Sequence, residues 1–430
     1  MARTQFQLLG IRRFLPLFIV QALGAFNDNA FKNALVILIT YDLAVRQGFN
    51  GQIFITLAAG LFVLPFFLFS ALAGQLADKY DKARLIRRIK AAEIVLMAGA
   101  AVGFAMEDVY WQLTVLFLMG AQSAFFGPIK YGILPQHLAE AELIAGNALI
   151  EMGTFLSILL GTLFGGLLIR LDGGPAIVSI AVIALAVLGY GASRFVPDAP
   201  PVTPDLRINP NLAAETLSII RHARADRIVF LCILGISWFW LVGALFLAQF
   251  PSYAKDTLHA NEQVSNLFIA TFSVGVAVGS LWCNRLLRGR VAATYVPLAA
   301  LGISLCCADL FLASSGGAPV PGHLLGVAEF IAAPGNWRVL LDLAVMAVCG
   351  GLYIVPLYAL IQARSAATHR ARNIAANNVL NALFMVASTL VTLLLLSLHF
   401  TLPQIFLTLA GANALVAVGL WRLRMAQGAS

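Results

Sequence analysis

Charge is what this sequence has least of. Only 11% of its 430 residues are Asp, Glu, Lys or Arg, where a soluble globular chain carries about a quarter. With 60% hydrophobic residues and a mean hydropathy of +0.87, it reads as a polytopic membrane protein. Cysteine is also scarce. Cys232, Cys283, Cys306, Cys307 and Cys349 lie in apolar runs with no metal-ligand spacing, which argues for buried, inert thiols and against a disulfide framework. There is no Gly-rich nucleotide loop and no zinc motif, so no cofactor or metal is expected. No cleavable signal peptide is expected either, because the first apolar run is far longer than a signal h-region. The net charge of +8 is not the footprint of a nucleic-acid partner, since the basic residues sit at the ends of apolar runs.

What is abundant is apolar sequence in lengths that cross a bilayer, roughly 20 residues at about 1.5 Å each. About twelve spans are expected, near 14–42, 52–76, 85–106, 111–135, 143–170, 175–196, 228–254, 263–287, 292–314, 337–361, 374–398 and 401–423. The longest polar interval, 197–227, falls halfway. It opens on Pro197, Pro200, Pro201 and Pro204, and Leu212 to Arg227 has the pattern of an amphipathic surface helix. The reading is an all-α integral membrane protein of two six-helix bundles, 1–196 and 228–430, joined by a cytoplasmic linker at 197–227.

Basic residues set the orientation. One side collects Arg12, Arg13, Lys79, Lys82, Arg84, Arg87, Arg88 and Lys90, then Arg207, Arg221, Arg224, Arg227, Arg285, Arg288, Arg290, Arg364, Arg370, Arg372, Arg422 and Arg424. The other holds Arg46, Arg170, Lys255 and Arg338 beside Glu107, Asp108 and Asp172. Both termini are expected in the cytoplasm. Internal repetition supports two halves: Trp111, Gln136 and Asn147 recur as Trp337, Gln362 and Asn373.

The first span is interrupted by Asn27-Asp28-Asn29, with Lys32 and Asn33 after it. Asp28 lies about 20 Å along that helix, close to the membrane middle, where a carboxylate needs a partner or a wet cavity. Lys32, at i+4, is positioned to pair with it. A bland alternative stays open, in which the amides and the Asp–Lys pair only stitch helices together.

Gly74-Gln75-Leu76-Ala77-Asp78-Lys79-Tyr80-Asp81-Lys82-Ala83-Arg84 resembles the loop between the second and third helices of the major facilitator superfamily, Gly-x-Leu-Ala-Asp-Arg-x-Gly-Arg-Lys. Gly74 permits close helix approach, and Asp78 can pair with a base or face a helix N-terminus. Lys79, Lys82 and Arg84 hold the turn at an anionic surface. Gly74, Asp78, Lys79 and Arg84 are therefore the candidate gating residues. Asp81 stands where the pattern has Gly, which leaves the turn geometry open. An ordinary solvated turn is the alternative.

Lys130 and Glu151 are nearly equidistant from the turn near 139–141, so a helix hairpin brings them to one depth, roughly 10–15 Å inside the boundary. An ion pair is the economical arrangement, either a permanent stitch or a gate that opens for a charged head group. Gly127, Pro128 and Pro135 make that fourth helix easy to bend. Asn373, Asn377 and Asn381 share a helix face and either line a polar path or stitch helices. Glu93, Asp309 and Asp342 are further intramembrane acids. Trp238 and Trp240 read as packing anchors. His137 and Glu142, spaced His-x4-Glu, lack the rest of an acyltransferase motif and are not read as catalytic; no enzyme is expected.

Ala25-Phe26-Asn27-Asp28-Asn29-Ala30, Pro128-Ile129-Lys130-Tyr131-Gly132-Ile133-Leu134, Gly146-Asn147-Ala148-Leu149-Ile150-Glu151 and Val355-Pro356-Leu357-Tyr358-Ala359-Leu360-Ile361-Gln362 resemble the bacterial lysophospholipid transporter (LplT) family. They look closest to transporter domains fused to an acyltransferase and an acyl-acyl-carrier-protein synthetase. With neither ahead of Ser430, the expectation is a stand-alone transporter or the transporter part of a longer chain. The resemblance implies a monomer, among membrane lipids of the bacterial inner membrane, that moves lysophospholipid such as lysophosphatidylethanolamine from the outer to the inner leaflet by alternating access, for a partner acyltransferase to reacylate. The expected substrate-binding residues are Asp28, Asn29, Lys32, Lys130, Tyr131, Glu151, Asn373 and Asn377, with the head group meeting Asp28, Lys130 and Glu151 in turn. Stand-alone members carry an Arg in the seventh helix, whereas 241–250 has no basic residue, which would shift the phosphate to Lys32 or Lys130 or mean a different cargo. Two other readings remain: a proton-coupled exporter of amphipathic drugs, and a membrane scaffold for an acyltransferase without transport of its own.

Overall fold

Inside hydrocarbon every backbone N–H needs an acceptor from its own segment, so the apolar runs fold as helices. The computed structural model describes residues 5–48, 50–314 and 323–428. The first six long helices are α1 (Leu15–Leu38), α2 (Gly51–Lys79), α3 (Lys82–Met106), α4 (Val109–Gly132), α5 (Leu143–Ile169) and α6 (Gly174–Ser193). A surface helix, Leu212–Ala225, precedes α7 (Arg227–Ser252), α8 (Glu262–Leu287), α9 (Val296–Ser314), α10 (Pro334–Arg364), α11 (Arg370–Ser397) and α12 (Leu402–Gly428). Eleven of these are long and apolar enough to cross a membrane. α1 falls short of that hydropathy because Asn27, Asp28, Asn29, Lys32 and Asn33 occupy its middle and later turns. With α1 included, the helices occupy the twelve expected spans.

Helix starts are fixed by short polar side chains that accept the otherwise unsatisfied first N–H groups. Asn50 caps α2, Asp108 caps α4, Asp226 caps α7 and Asn261 caps α8. Asp81, the residue that breaks the loop pattern, caps α3 by accepting from Arg84 N at 2.8 Å. Its other carboxylate oxygen takes Ala199 N at 3.0 Å. The turn therefore needs no glycine there; Asp81 sits at φ −58.

Between helices, where lipid supplies no hydrophobic drive, close approach through small residues does the packing. Gly161 and Gly165 of α5 lie against the Phe26 and Ala30 carbonyls of α1, and a Cβ on either glycine would collide with them. α1–α6 and α7–α12 form two bundles, joined chiefly by α2 against α11 and α5 against α8. The linker is strapped across the basic end. Asp78 O accepts from Val202 N and Thr203 N, and Gln75 exchanges two hydrogen bonds with the Asn209 backbone.

Two readings of single charges need correcting. Lys90 is not a surface cation: it is 1% exposed and paired with Glu93, 3% exposed, at 2.6 Å. Gly24 of α1 makes room, since a side chain there would strike the Lys90 ammonium. Lys82, read as a base at the surface, is only 2% exposed, while Arg424 lies outside the residues whose side chains are described.

Candidate functional site

The polar middle of α1 faces α3 and α4. Asp28 does not close onto Lys32; its Oδ2 accepts from Ser123 Oγ of α4 at 2.6 Å. Lys32 instead lies over the Phe62 ring of α2, 5.2 Å from its centroid. From Ser123 a chain of hydrogen bonds runs inward. Ser123 Oγ also lies 3.2 Å from Gln122 Oε1, a second acceptor for its single proton, and Gln122 Nε2 donates to Glu93 Oε2 at 3.2 Å. Glu93 also takes Lys90 Nζ and, at 3.0 Å, Asn27 Nδ2. Thus a carboxylate in the membrane middle is wired to a fully buried ion pair. Neither Ser123 nor Gln122 stood out in the sequence, because one hydroxyl and one amide in an apolar helix carry no pattern.

Asp28, Lys32, Gln122, Ser123 and Lys130 keep part of their surface accessible, although each sits well inside a spanning helix. None of the five is sealed completely from its surroundings, as ionised groups at that depth require. Asn29 is turned away and donates to Ala25 O of its own helix at 2.8 Å.

Lys130 and Glu151 do not form the ion pair expected of them. Neighbours on a helix point about 100° apart, and it is Tyr131 that faces α5. Its hydroxyl donates to Glu151 Oε1 at 2.5 Å, while Lys130 Nζ rests 4.6 Å from the Tyr131 ring centroid. Tyr131 in turn stacks flat on Tyr358 of α10, centroids 4.1 Å apart and planes 6° from parallel. Trp240 of α7, read as a packing anchor, stacks on Phe155 of α5 at 6.1 Å and lies beside the Tyr358 hydroxyl. Asn147 of α5 and Gln362 of α10 exchange reciprocal amide bonds of 2.7 and 3.0 Å.

One layer further toward the basic end, buried Asp78 accepts from Arg372 Nε at 3.1 Å and from Ala371 N at 3.3 Å, in the first turn of α11. Both a base and a helix N-terminus hold it. Gly74, one turn earlier, lies against Ala375 and Arg372, and an added Cβ would meet them at 2.8 and 3.0 Å. Lys79 leans over Tyr80, 5.8 Å from the ring centroid, and the Arg84 side chain is exposed. The two halves therefore meet in three successive layers at this end. At the other end, an exposed Arg170–Glu262 contact of 3.3 Å is the cross-half ion pair among the described residues.

The asparagine face divides. Asn373 Nδ2 donates to Ser365 Oγ at 2.8 Å, and Asn381 Oδ1 accepts from Ser237 Oγ of α7 at 2.9 Å. Between them Asn377 is fully buried and, like Trp240, lies beside the Tyr358 hydroxyl, while Glu151 Oε2 has no hydrogen-bond partner among the described residues. In the second half, Asp309 is held by Arg338. Four cysteines are buried and Cys349 is half-buried.

The sequence profile described as Major Facilitator Superfamily matches residues 17–333. Among curated proteins, the Lysophospholipid transporter LplT of Cronobacter sakazakii is 25% identical, with 97% of each chain covered. That of an Enterobacter species is 26% identical over 93% of each. Among solved structures, the human organic anion transporter MFSD10 superposes with a TM-score of 0.72 at 15% identity, covering 95% of this chain and 99% of that one. A bacterial homologue of the iron transporter ferroportin, in an outward-facing state, gives 0.67 at 14% identity, covering 96% and 100%.

Proposed function

Because the chain belongs to the Major Facilitator Superfamily of membrane transporters, we propose that it transports lysophospholipid from the outer to the inner leaflet of the bacterial inner membrane. Transport runs by alternating access between the bundles 1–196 and 228–430, with 197–227 as the cytoplasmic linker and both termini in the cytoplasm. The protein acts as a monomer, and a partner acyltransferase or acyl-acyl-carrier-protein synthetase system consumes the delivered lipid.

The observation that carries this reading is that Asp28, Lys32 and Lys130, set deep in α1 and α4, stay partly accessible beside the layers where the two halves meet. A lyso-lipid needs a polar strip for its glycerophosphate head and an apolar flank for one acyl chain. The relatives named lysophospholipid transporters support the choice of cargo. Lys130 contacts the phosphate, taking the task of the basic residue that 241–250 lacks, and Lys32 assists it. Asp28, oriented by Ser123, faces the cationic amine, while Asn29 shapes the helix beside it. When the gate opens, Tyr131 releases Glu151, and Asn373 and Asn377 become the polar wall past which the head group leaves. Gly74, Asp78, Lys79 and Arg84 form the latch behind that wall.

Purified protein reconstituted into liposomes should flip labelled lysophosphatidylethanolamine without any partner protein, and should not flip the diacyl lipid. Absence of flipping by folded protein would remove this reading and leave the scaffold role.

A further inference from the structure

At the end opposite the basic one, the second bundle holds a carboxyl group that its surroundings leave without a counter-charge. Asp309 lies in the last two turns of α9, and Asp342 in the third turn of α10. Arg338, one turn before Asp342, is spent on Asp309: its Nε donates to one carboxylate oxygen at 2.8 Å and its Nη2 to the other. Asp342 is 8% exposed and forms no ion pair among the described residues. No described group donates to its Oδ2. What it meets instead is the Asp309 carboxyl, within hydrogen-bond reach. Cys306 and Cys307 of α9, and Tyr253 beyond the end of α7, also face it. These are thiols and a phenol, uncharged near neutral pH, and the Tyr253 hydroxyl is bonded to Ser314 Oγ at 2.7 Å. Glu329, ahead of α10, is turned onto His323 at 3.1 Å. The remaining helices packed against α10 bring Asp342 no ionisable group among the described residues.

Two ionised carboxylates in contact, served by one guanidinium, would leave a net negative charge in a buried place, which is costly. Carboxyl groups that share a site avoid this by keeping one proton between them. We propose that Asp309 and Asp342 form a proton-binding site, in which Asp342 holds the proton and donates it to Asp309, fastening α9 to α10. A hard metal cation fits less well, because it gathers about six or more oxygens and no third His, Cys, Asp or Glu joins the pair among the described residues. The fastening is complete while the proton is bound and is lost as pH rises through its release. Two like charges then push the ends of α9 and α10 apart. Asp309 and Arg338 stay partly exposed, so the proton enters from that end of the molecule, the outer one in the orientation proposed above. The site does not depend on the identity of the transported molecule.

The test uses the full chain in nanodiscs and dicyclohexylcarbodiimide, an apolar reagent that adds to protonated carboxyl groups and not to carboxylates, with the adducts mapped by peptide mass spectrometry. Wild-type Asp342 should be labelled at mildly acidic pH and lose labelling as pH rises, by about tenfold per pH unit beyond the midpoint. D309N removes the like charge and frees Arg338 for Asp342, so labelling of Asp342 at the same acidic pH should fall about tenfold or more. Labelling of the other carboxyl groups in the same digest controls for fold and reagent access. Absence of Asp342 labelling in the wild type at every pH, or labelling that D309N leaves unchanged, would overturn the proposal. Protection of wild-type Asp342 by sodium chloride but not by choline chloride would also overturn it, making the occupant a metal cation; equal labelling in both salts supports the proton.

Discussion

Tyr131 and Tyr358 lie ring to ring across the two bundles, 4.1 Å between centroids and 6° from parallel. Because Tyr131 also binds Glu151, one aromatic contact joins three helices, α4, α5 and α10, at the innermost of the layers where the two halves meet.

Removing that contact should loosen the gate. An offset-stacked pair contributes about 1 kcal/mol beyond its buried area. Tyr358→Leu should therefore widen the distance distribution between spin labels at Glu140 and Ala366, exposed on opposite halves of the basic end. Tyr131→Leu should do the same, and the double substitution should fall short of the sum, as coupled residues do. Strict additivity would mean that the rings only lie side by side.

The Asp78 latch should weigh more. Breaking one partner of a buried, hydrogen-bonded pair costs about 3 kcal/mol, so Asp78→Asn should shift the same distances further than Tyr358→Leu. Gly74→Val should act similarly by steric means, because Ala375 and the Arg372 backbone leave no room for a side chain. Unchanged distances in both variants would place the closure elsewhere.

Lys90 and Glu93 test a different claim, that the inner end of the polar network is structural. Glu93→Ala leaves a buried ammonium without its partner and should destabilise the protein by about 3–5 kcal/mol, seen as a lower melting temperature in detergent. Lys90→Met with Glu93→Gln, which removes both charges together and keeps an acceptor for Asn27, should recover much of that loss. A double variant no better than Glu93→Ala would show that the pair matters beyond its own charge balance.

Much of the architecture could be read before any coordinates, because span length in a bilayer is a strong constraint. The twelve helices begin and end within a few residues of the apolar runs. Polar positions were legible only where they clustered, as in Asn27-Asp28-Asn29 or the α2–α3 turn. Their partners were not. Which side chain Asp28 meets depends on helix rotation, and Ser123 is invisible until α1 and α4 are placed together. Depth alone matched Lys130 to Glu151, yet rotation gave that contact to Tyr131. Lys90 misled for a related reason. It follows a run of bases of which Arg84 and Arg88 are exposed, and Gly24 on another helix helps open the space that buries it. The repeat of Gln136 and Asn147 as Gln362 and Asn373 did carry information, since Asn147 and Gln362 meet across the halves. Its symmetric counterpart is absent: Gln136 donates to Pro200 O and Asn373 to Ser365, because the linker occupies only one side.

The most direct measurement concerns Lys130. Wild type, Lys130→Ala and Asp28→Asn would be reconstituted in equal amounts, with melting temperatures confirming the fold, and the initial rate of lysophosphatidylethanolamine flipping recorded for each. If the polar strip is the head-group path, Lys130→Ala should lose flipping and Asp28→Asn should fall by about tenfold or more, a charge-assisted contact being worth roughly 1.5–3 kcal/mol. Folded Lys130→Ala protein that flips at the wild-type rate would contradict the account.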